Sequence, residues 1–531
     1  MKVTQRTILW VVALGVFVAA DDLTVVTTML RPIIADLGIT LPDQLDKVAW
    51  IVNAYLIAYV GVMPFIGRVS DIIGRRAVYI GSMALFLIGS IWIPYSLQMG
   101  QWLVAALPPG YELFGNILTQ KDVTYAIFLV GRVLTALGGG AMVPVSMAVI
   151  ADIYRPERRA SALGILGAVE TSGWVWGPLY GALLVRFLTW QWQFYFNIPL
   201  AIIGIGLAWW ALRDLPQPET PPKLDWGGAI SLTLALLALN IGLSNSGAAQ
   251  FAENLSDIEG ISATRTVPYF IAAALFLGLF IWGERRLRRD GRRQPMLDLS
   301  LFARRNFSPA VLINFFVGLM LIIGMVAVPL IVNVLEVDTG RSAILSGTLL
   351  SAMTGAMTIL TIVGGRWTER AGEYRLVTVV GLTFCFIGLA LVGLNWTPET
   401  SRGVMAWHLA VLGVGFGLVT APVGAAIINA APDGERGIAS SLVIVFRLLG
   451  MSVGLSMLTA WGQYRFNGLR AGLELPPITD PTFGEALETA LQGLTVQVLA
   501  ETFLLAALVA VIAIGVTRWL KADEGAHEWV S

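Results

Sequence analysis

The chain has 531 residues, of which 56% are hydrophobic and 13% charged, and its formal net charge is zero at pH 7. A soluble domain carries about a quarter charged residues, and a nucleic-acid partner calls for a basic balance that is missing here. Composition, with a mean hydropathy of +0.74, therefore suits lipid rather than water.

Fourteen apolar stretches are predicted as membrane spans, at about 7–30, 48–66, 77–94, 123–150, 160–185, 194–212, 226–247, 267–284, 308–334, 343–364, 376–394, 405–429, 437–461 and 498–518. Each is long enough to cross a hydrocarbon core of roughly 30 Å. In lipid the backbone must satisfy its own hydrogen bonds, and long runs without alternation favour helices over barrel strands. The predicted class is thus an all-α integral membrane protein with 14 transmembrane helices. Lys2 and Arg6 ahead of the first run mimic a signal peptide, but that run is long and has no clear cleavage site, so an uncleaved first helix is expected.

Of the 35 Lys and Arg, with Arg518 at the edge of the last span counted in the C-terminus, 24 fall in the two termini and the even-numbered gaps, 9 in the other gaps, and 2 (Arg132 and Arg447) inside spans. The positive-inside rule then puts both termini in the cytoplasm. Arg285, Arg286, Arg288, Arg289, Arg292, Arg293, Arg304 and Arg305 make the densest basic segment, read as a topological anchor that touches anionic membrane lipid. Cys385 is the only cysteine, so a disulfide within the chain is excluded.

A short basic turn occurs twice. Gly67, Asp71 and Gly74, followed by Arg75 and Arg76, come after the second span; Gly365, Glu369 and Gly372 repeat the spacing after the tenth. Duplication of this kind points to two related halves, as in transporters built from repeats. The glycines permit close approach, and Asp71 is expected to favour the dipole of the next helix. The bland alternative is a turn that serves topology alone.

Charge inside a span is expensive unless paired or hydrated and defaults to function. Asp21 in the first span and Arg132 in the fourth are the leading proton-coupling candidates, with Asp22 about 100° around the helix from Asp21. Glu170 in the fifth span is either a second protonatable site or polar glue. Arg447 in the thirteenth is expected to face the cavity or an acid such as Glu501.

Gly67 to Arg76 resembles the loop 2–3 signature of the major facilitator superfamily, departing at Ile72. Further segments resemble its 14-helix drug/proton antiporter branch: Asp21-Asp22-Leu23-Thr24 with Ala35-Asp36-Leu37-Gly38, Gly131-Arg132 with Gly138-Gly139-Gly140, and Gly173, Gly177, Pro178 and Gly181 as an antiporter motif. Trp190 with Trp192, Asn197 with Pro199, and Gly437 to Ser440 with Arg447 and Gly450 extend the likeness. The resemblance implies two six-helix halves with two inserted linker helices: residues 1–213 as one half, 214–306 as linker and basic loop, and 307–531 as the other half. Rocking of one half on the other would expose a central cavity alternately to each side, with Gly67, Asp71, Gly74, Arg75 and Glu369 at the conformational switch. Ala460 to Asn467, Gly177 to Gly181 and Trp50 to Val52 resemble the mycobacterial triacylglyceride exporters of the same superfamily, although the gap at 395–404 is short where those carry an insertion.

Residues 437–474 as one helix would far exceed the membrane thickness. An outer helical hairpin at about 462–497 is therefore expected, with Pro476 and Pro477 interrupting it and Asp480 capping the return helix. Phe466, Leu469 and Leu473 make one apolar stripe, and Leu487 and Leu491 belong to another. These line either an outer substrate path or a plain helix contact. The apolar segment at 95–122, with Trp102, Leu103, Val104, Leu107 and Phe114, is read as interfacial or as a packed loop.

A membrane-embedded enzyme is the reading from another class. Only His408 and His527 are present, and no metal-ligand or phosphate-cradling pattern occurs, so neither a catalytic group nor a metal or cofactor is expected. The sequence is read as a proton-coupled exporter of lipids or other hydrophobic molecules in a bacterial inner membrane, with multidrug/proton antiport as the alternative. A monomer is expected, with an outer lipoprotein or carrier as possible partner.

Overall fold

The computed structural model describes residues 3–39, 45–106, 112–113, 116–117, 119–215, 225–243, 263–290, 297–336, 339–470, 473 and 483–520. They form fifteen α-helices: α1 (Gln5–Asp36), α2 (Leu45–Ile73), α3 (Arg75–Trp92), α4 (Ser96–Ala106), α5 (Gln120–Ile153), α6 (Pro156–Phe187), α7 (Trp192–Ala211), α8 (Trp226–Leu243), α9 (Ala263–Asp290), α10 (Phe307–Leu335), α11 (Thr339–Ala371), α12 (Tyr374–Asn395), α13 (Arg402–Asn429), α14 (Arg436–Arg470) and α15 (Phe483–Val516). The strand content of the described residues is one pair of two-residue strands, Glu112–Leu113 with Asn116–Ile117.

Twelve of the helices are long and apolar enough to cross a membrane, or thirteen with α3 and α4 taken as one span bent by 71°. The predicted span at 160–185 lies in α6, whose Glu157, Arg158, Arg159, Glu170 and Arg186 depress its apolar character. The class is all-α and multi-pass; the count of fourteen spans rests on including α6. At the bend after α3, Trp102 and Leu103 of α4 are exposed while Gly100 sits against Thr124 of α5. Leu107 and Phe114 lie outside the described side chains.

Local signals set the helix ends. Thr119 and Asp122 make a reciprocal capping box at the start of α5, and Pro156 occupies the first turn of α6, where its missing N–H costs nothing. Gly74 and Gly372, at matching places in the repeated turn, have φ of 102° and 62°, a left-handed conformation that favours glycine.

Packing repeats as well. α1 packs on α6, α2 and α3 on α5, and α3 on α7; in the second half α10 packs on α14, α11 and α12 on α13, and α12 on α15. The halves meet where α2 touches α14 and α6 touches α11, an exchange that a two-fold pseudosymmetry requires. α8 and α9 pack together, and α8 lies along α2, where Thr233 Oγ1 donates to the Gly61 carbonyl at 3.3 Å. Its far end meets α14, where Ser456 Oγ donates to the Leu243 carbonyl at 3.3 Å.

Helix contacts in lipid depend on small residues because apolar burial gives little drive there. A Cβ on Gly388 of α12 would stand 2.6 Å from Leu412 Cα and 2.7 Å from Leu412 N of α13. Backbone cannot yield as a flexible side chain would. Gly388→Val should therefore lose about 1–3 kcal/mol, read as a lower thermal unfolding midpoint in detergent, while Gly403→Ala, with open space around it, should leave the midpoint unchanged.

Candidate functional site

Among the buried charged side chains, five lie towards the middle of their helices: Asp21 and Asp22 on α1, Arg132 on α5, Glu170 on α6 and Arg447 on α14. Glycines set the spacing around the two aspartates. A Cβ on Gly173 would meet Ala20 Cβ at 2.7 Å and Asp21 N at 3.1 Å, and one on Gly177 would meet Asp21 O and Val25 N, both at 3.1 Å. The motif glycines thus let α6 lie against the α1 backbone at Asp21; Gly181 is buried on the same helix. α6 runs unbroken through Pro178, whose side chain lies outside the described residues.

Asp22, rather than Asp21, faces Arg132. Arg132 Nη1 donates to Asp22 Oδ2 at 3.2 Å, and its guanidinium sits 4.2 Å from the centre of the Tyr55 ring, a cation–π contact. Asn197 Nδ2 of α7 donates to Asp22 Oδ1 at 3.4 Å. Asp21 turns to α7, where Gln193 Nε2 donates to Asp21 Oδ2 at 2.9 Å. Tyr55 and Gln193 escape sequence reading; the available signal for Gln193 is an amide near the start of a predicted span.

Arg447 faces an acid, but not Glu501. Its Nη1 lies 3.7 Å from Glu170 Oε2, so a buried ion pair joins the two halves. Glu501 is engaged elsewhere: Arg465 donates to both of its oxygens at 2.7 Å through Nε and Nη2. That bidentate geometry accounts for the loss of the expected Arg447–Glu501 pair.

The end of the bundle that carries the repeated turns, here the basic face, is closed by contacts between halves. The sequence places Asp71 at the start of α3, but the N-cap of α3 is Gly74 and no side chain caps that helix. Asp71 instead crosses to the other half and caps α14, accepting from Gly437 N at 2.9 Å and Ile438 N at 3.3 Å. Arg75 braces it at 2.5 Å and reaches Asp152 at 3.0 Å, while Arg436 meets Asp152 at 3.4 Å. Arg68 donates to the Gly434 carbonyl at 3.1 Å. A carboxylate on two free helix N–H groups combines a charge-assisted bond with the positive end of the dipole. Gly67 lies against Gly437 and Ser441, so a side chain there would separate α2 from α14. Beside this latch Glu435 sits outside the spans, its carboxyl raised by partial burial and by the charge of Asp298, with Arg68 and Arg304 opposing.

The second turn is held more loosely. Glu369 lies 3.9 Å from Arg158, which is 73% exposed, a pair that solvent screens. Nearby, Arg159 Nη1 donates to Asn429 Oδ1 at 2.7 Å, and a Cβ on Gly164 would stand 2.7 Å from the Thr361 carbonyl oxygen.

At the opposite face α14 and α15 run to 35 and 34 residues, each roughly 50 Å long at 1.5 Å per residue. Phe466, Leu469, Leu487 and Leu491 are half-buried, and so is Leu473 just beyond the end of α14. Pro476, Pro477 and Asp480 lie outside the described residues.

Asp71→Asn removes the charge from the α14 cap, and Gly74→Leu imposes about 1–3 kcal/mol of backbone strain at positive φ. With spin labels at the exposed Glu157 and Arg375, either change should raise the population of long distances across the basic face by about tenfold, the worth of one charge-assisted bond. Unchanged distance distributions in folded variants would remove the latch from the conformational cycle.

The sequence pattern of the Major Facilitator Superfamily matches residues 12–455. A triacylglyceride transporter of Mycobacterium tuberculosis is 32% identical over 492 residues, covering 90% of this chain and 87% of the relative. A multidrug resistance protein of Bacillus subtilis is 29% identical, covering 84% and 77% of the two chains. Among solved structures, a proton:xylose symporter bound to 6-bromo-6-deoxy-D-glucose has a TM-score of 0.57 at 14% identity, covering 94% of both chains. A human organic anion transporter has 0.55 at 14% identity, covering 95% and 99%; at such identities the likeness concerns the fold. With the helices packed as two pseudosymmetric groups and charges buried where they meet, the chain is a membrane transporter rather than an enzyme, and it belongs to the major facilitator superfamily.

Proposed function

We propose that this transporter exports lipids or other hydrophobic, amphipathic molecules by alternating access, driven by protons, with residues 1–213 and 307–531 rocking about the central site and 214–306 as the linker. The observation that carries the reading is the buried Glu170–Arg447 pair between halves, close in kind to the Asp22–Arg132 pair within one half. An ion pair buried in low dielectric holds only while both partners are charged. Protonating Glu170 removes the attraction that ties α6 to α14, so a proton becomes a signal to separate the halves.

Direction follows from charge. The positive-inside rule makes the basic face cytoplasmic, with both termini inside a bacterial inner membrane, so the arrangement with Asp71 on α14 is closed to the cytoplasm. Substrate class is carried over from the relatives named triacylglyceride transporters. The apolar stripes on α14 and α15 would guide acyl chains away from the membrane, towards an outer lipoprotein or carrier. The relative named a multidrug resistance protein favours a second reading, small-drug antiport through the same cavity.

In proteoliposomes with an imposed proton gradient, Glu170→Gln, Asp21→Asn and Arg132→Ala should each lower gradient-driven movement of a fluorescent acyl lipid by about tenfold or more, the effect of removing an interaction of at least 1.4 kcal/mol. Insertion and folding are checked by monodisperse elution. Wild-type flux that ignores the gradient rejects proton coupling. Replacing Leu469, Leu473, Leu487 and Leu491 by polar residues should reduce lipid movement and spare dye efflux. Unaltered lipid movement in the folded variant would leave the drug-antiport reading ahead.

A further inference from the structure

Of the three acids and two arginines in the middle of α1, α5, α6 and α14, each arginine has an acid of its own: Arg132 has Asp22 and Arg447 has Glu170. Asp21 is left over. On α1 its charged neighbour is Asp22, already held by Arg132 of α5. α6 presents glycine backbone and, within electrostatic range, Tyr180; α7 presents the amides of Gln193 and Asn197; Tyr55 of α2 stacks with Arg132.

Gln193 Nε2 supplies one hydrogen bond to Asp21 Oδ2, at 2.9 Å. Among the described residues, Asp21 Oδ1 and Gln193 Oε1 are both buried acceptors with no donor. Gln193 is wholly buried and Asp21 only 6% exposed. An ionised Asp21 would place a full charge here with one donor, a costly state inside a membrane. One proton resolves both shortages, because it removes the charge and supplies the O–H that the amide oxygen lacks. Turning the amide over exchanges its oxygen and nitrogen but leaves the count the same: one donor is missing between the two groups.

We propose that Asp21 is protonated while the basic face is closed, and that Gln193 holds it in a two-armed carboxylic acid–carboxamide pair, N–H to Oδ2 and O–H to Oε1. Gln193 is then a positioning residue for the coupling proton, an inference that rests on the proton-coupled reading. Release sends the proton from Asp21 Oδ1 to water once the site is wetted; the carboxylate keeps the N–H arm, and the Gln193 oxygen turns away from it. The start of α7 is tied to α1 a second time, through Trp190 Nε1 donating to Asp36 Oδ2 at 2.7 Å, so a change at Asp21 strains a contact fixed at both ends.

Infrared difference spectroscopy on the full-length protein in lipid at neutral pH tests the pair through the C=O stretch of protonated carboxyl groups. Asp21→Asn should lose a band that wild type shows, and Gln193→Leu should move that band to higher wavenumber, because the acid loses its hydrogen bonds. Gln193→Asn, which keeps the amide on a shorter arm, should shift it in the same direction and serves if the Leu variant does not fold. A spectrum unaltered by Asp21→Asn means that Asp21 is ionised and overturns the proposal, as does a band present in wild type that neither Gln193 variant moves. A protonated-carboxyl band that appears only when sodium is withdrawn assigns the site to a cation and overturns it too. Flux in the same preparations separates the two readings. Gradient-driven flux without an Asp21 band rejects the pair and keeps proton coupling; the band without gradient-driven flux keeps the pair and rejects the transport reading.

Discussion

A charge placed in hydrocarbon must find a partner or lose its charge, and the interior of this transporter is arranged around that demand. Asp22 has Arg132 within one half, and Glu170 has Arg447 across the two halves. In the proposed cycle the second pair bears on motion, since it joins α6 to α14, which belong to different groups of helices. Its attraction grows as water leaves and falls as water enters. In the proposed cycle, closing and wetting the centre therefore depend on the charge state of Glu170 as well as on the proton at Asp21.

The repeated turn after α2 and α11 shows how duplication becomes asymmetric. Both copies keep a glycine at positive φ and an acid at the same spacing. Asp71 finds two N–H groups of α14 and a buried arginine, whereas Glu369 finds an exposed arginine. A helix N-terminus offers unsatisfied donors at all times, but it offers them to Asp71 only when the halves meet. The latch is thus a docking contact made by one half on the other, and in the proposed cycle its strength goes to the arrangement closed at the basic face.

Much of this was legible along the chain. Apolar runs mark the helices because each must hide its backbone in lipid, and the repeated Gly-acid-Gly spacing marks the paired turns. Partner choice was less visible. Asp21 and Asp22 differ by about 100° on α1, so one faces α5 and the other α7, and nothing in linear spacing says which neighbour stands on which side. Arg447 illustrates the same limit: Glu501 is the acid that the linear reading offers it, but Glu170 is the one it meets, while Arg465 holds both oxygens of Glu501. Gln193 was passed over because an amide carries no charge to draw attention, although a buried amide needs partners as much as a charge does.

The glycines of α6 link packing to chemistry. Because Gly173 and Gly177 lack side chains, α6 meets α1 through backbone at Asp21. Backbone that is already hydrogen-bonded within its own helix has no donor to spare for a carboxylate. A seal of this kind excludes water without supplying charge compensation, a shortage that the proton proposed for Asp21 makes good. A larger residue at either position would push the helices apart, admit water, and change the electrostatics and the packing together. The antiporter motif can therefore be understood as a requirement on the surroundings of α1: the helix next to the acid must be smooth enough to dry it, while α7 supplies the amide that holds it.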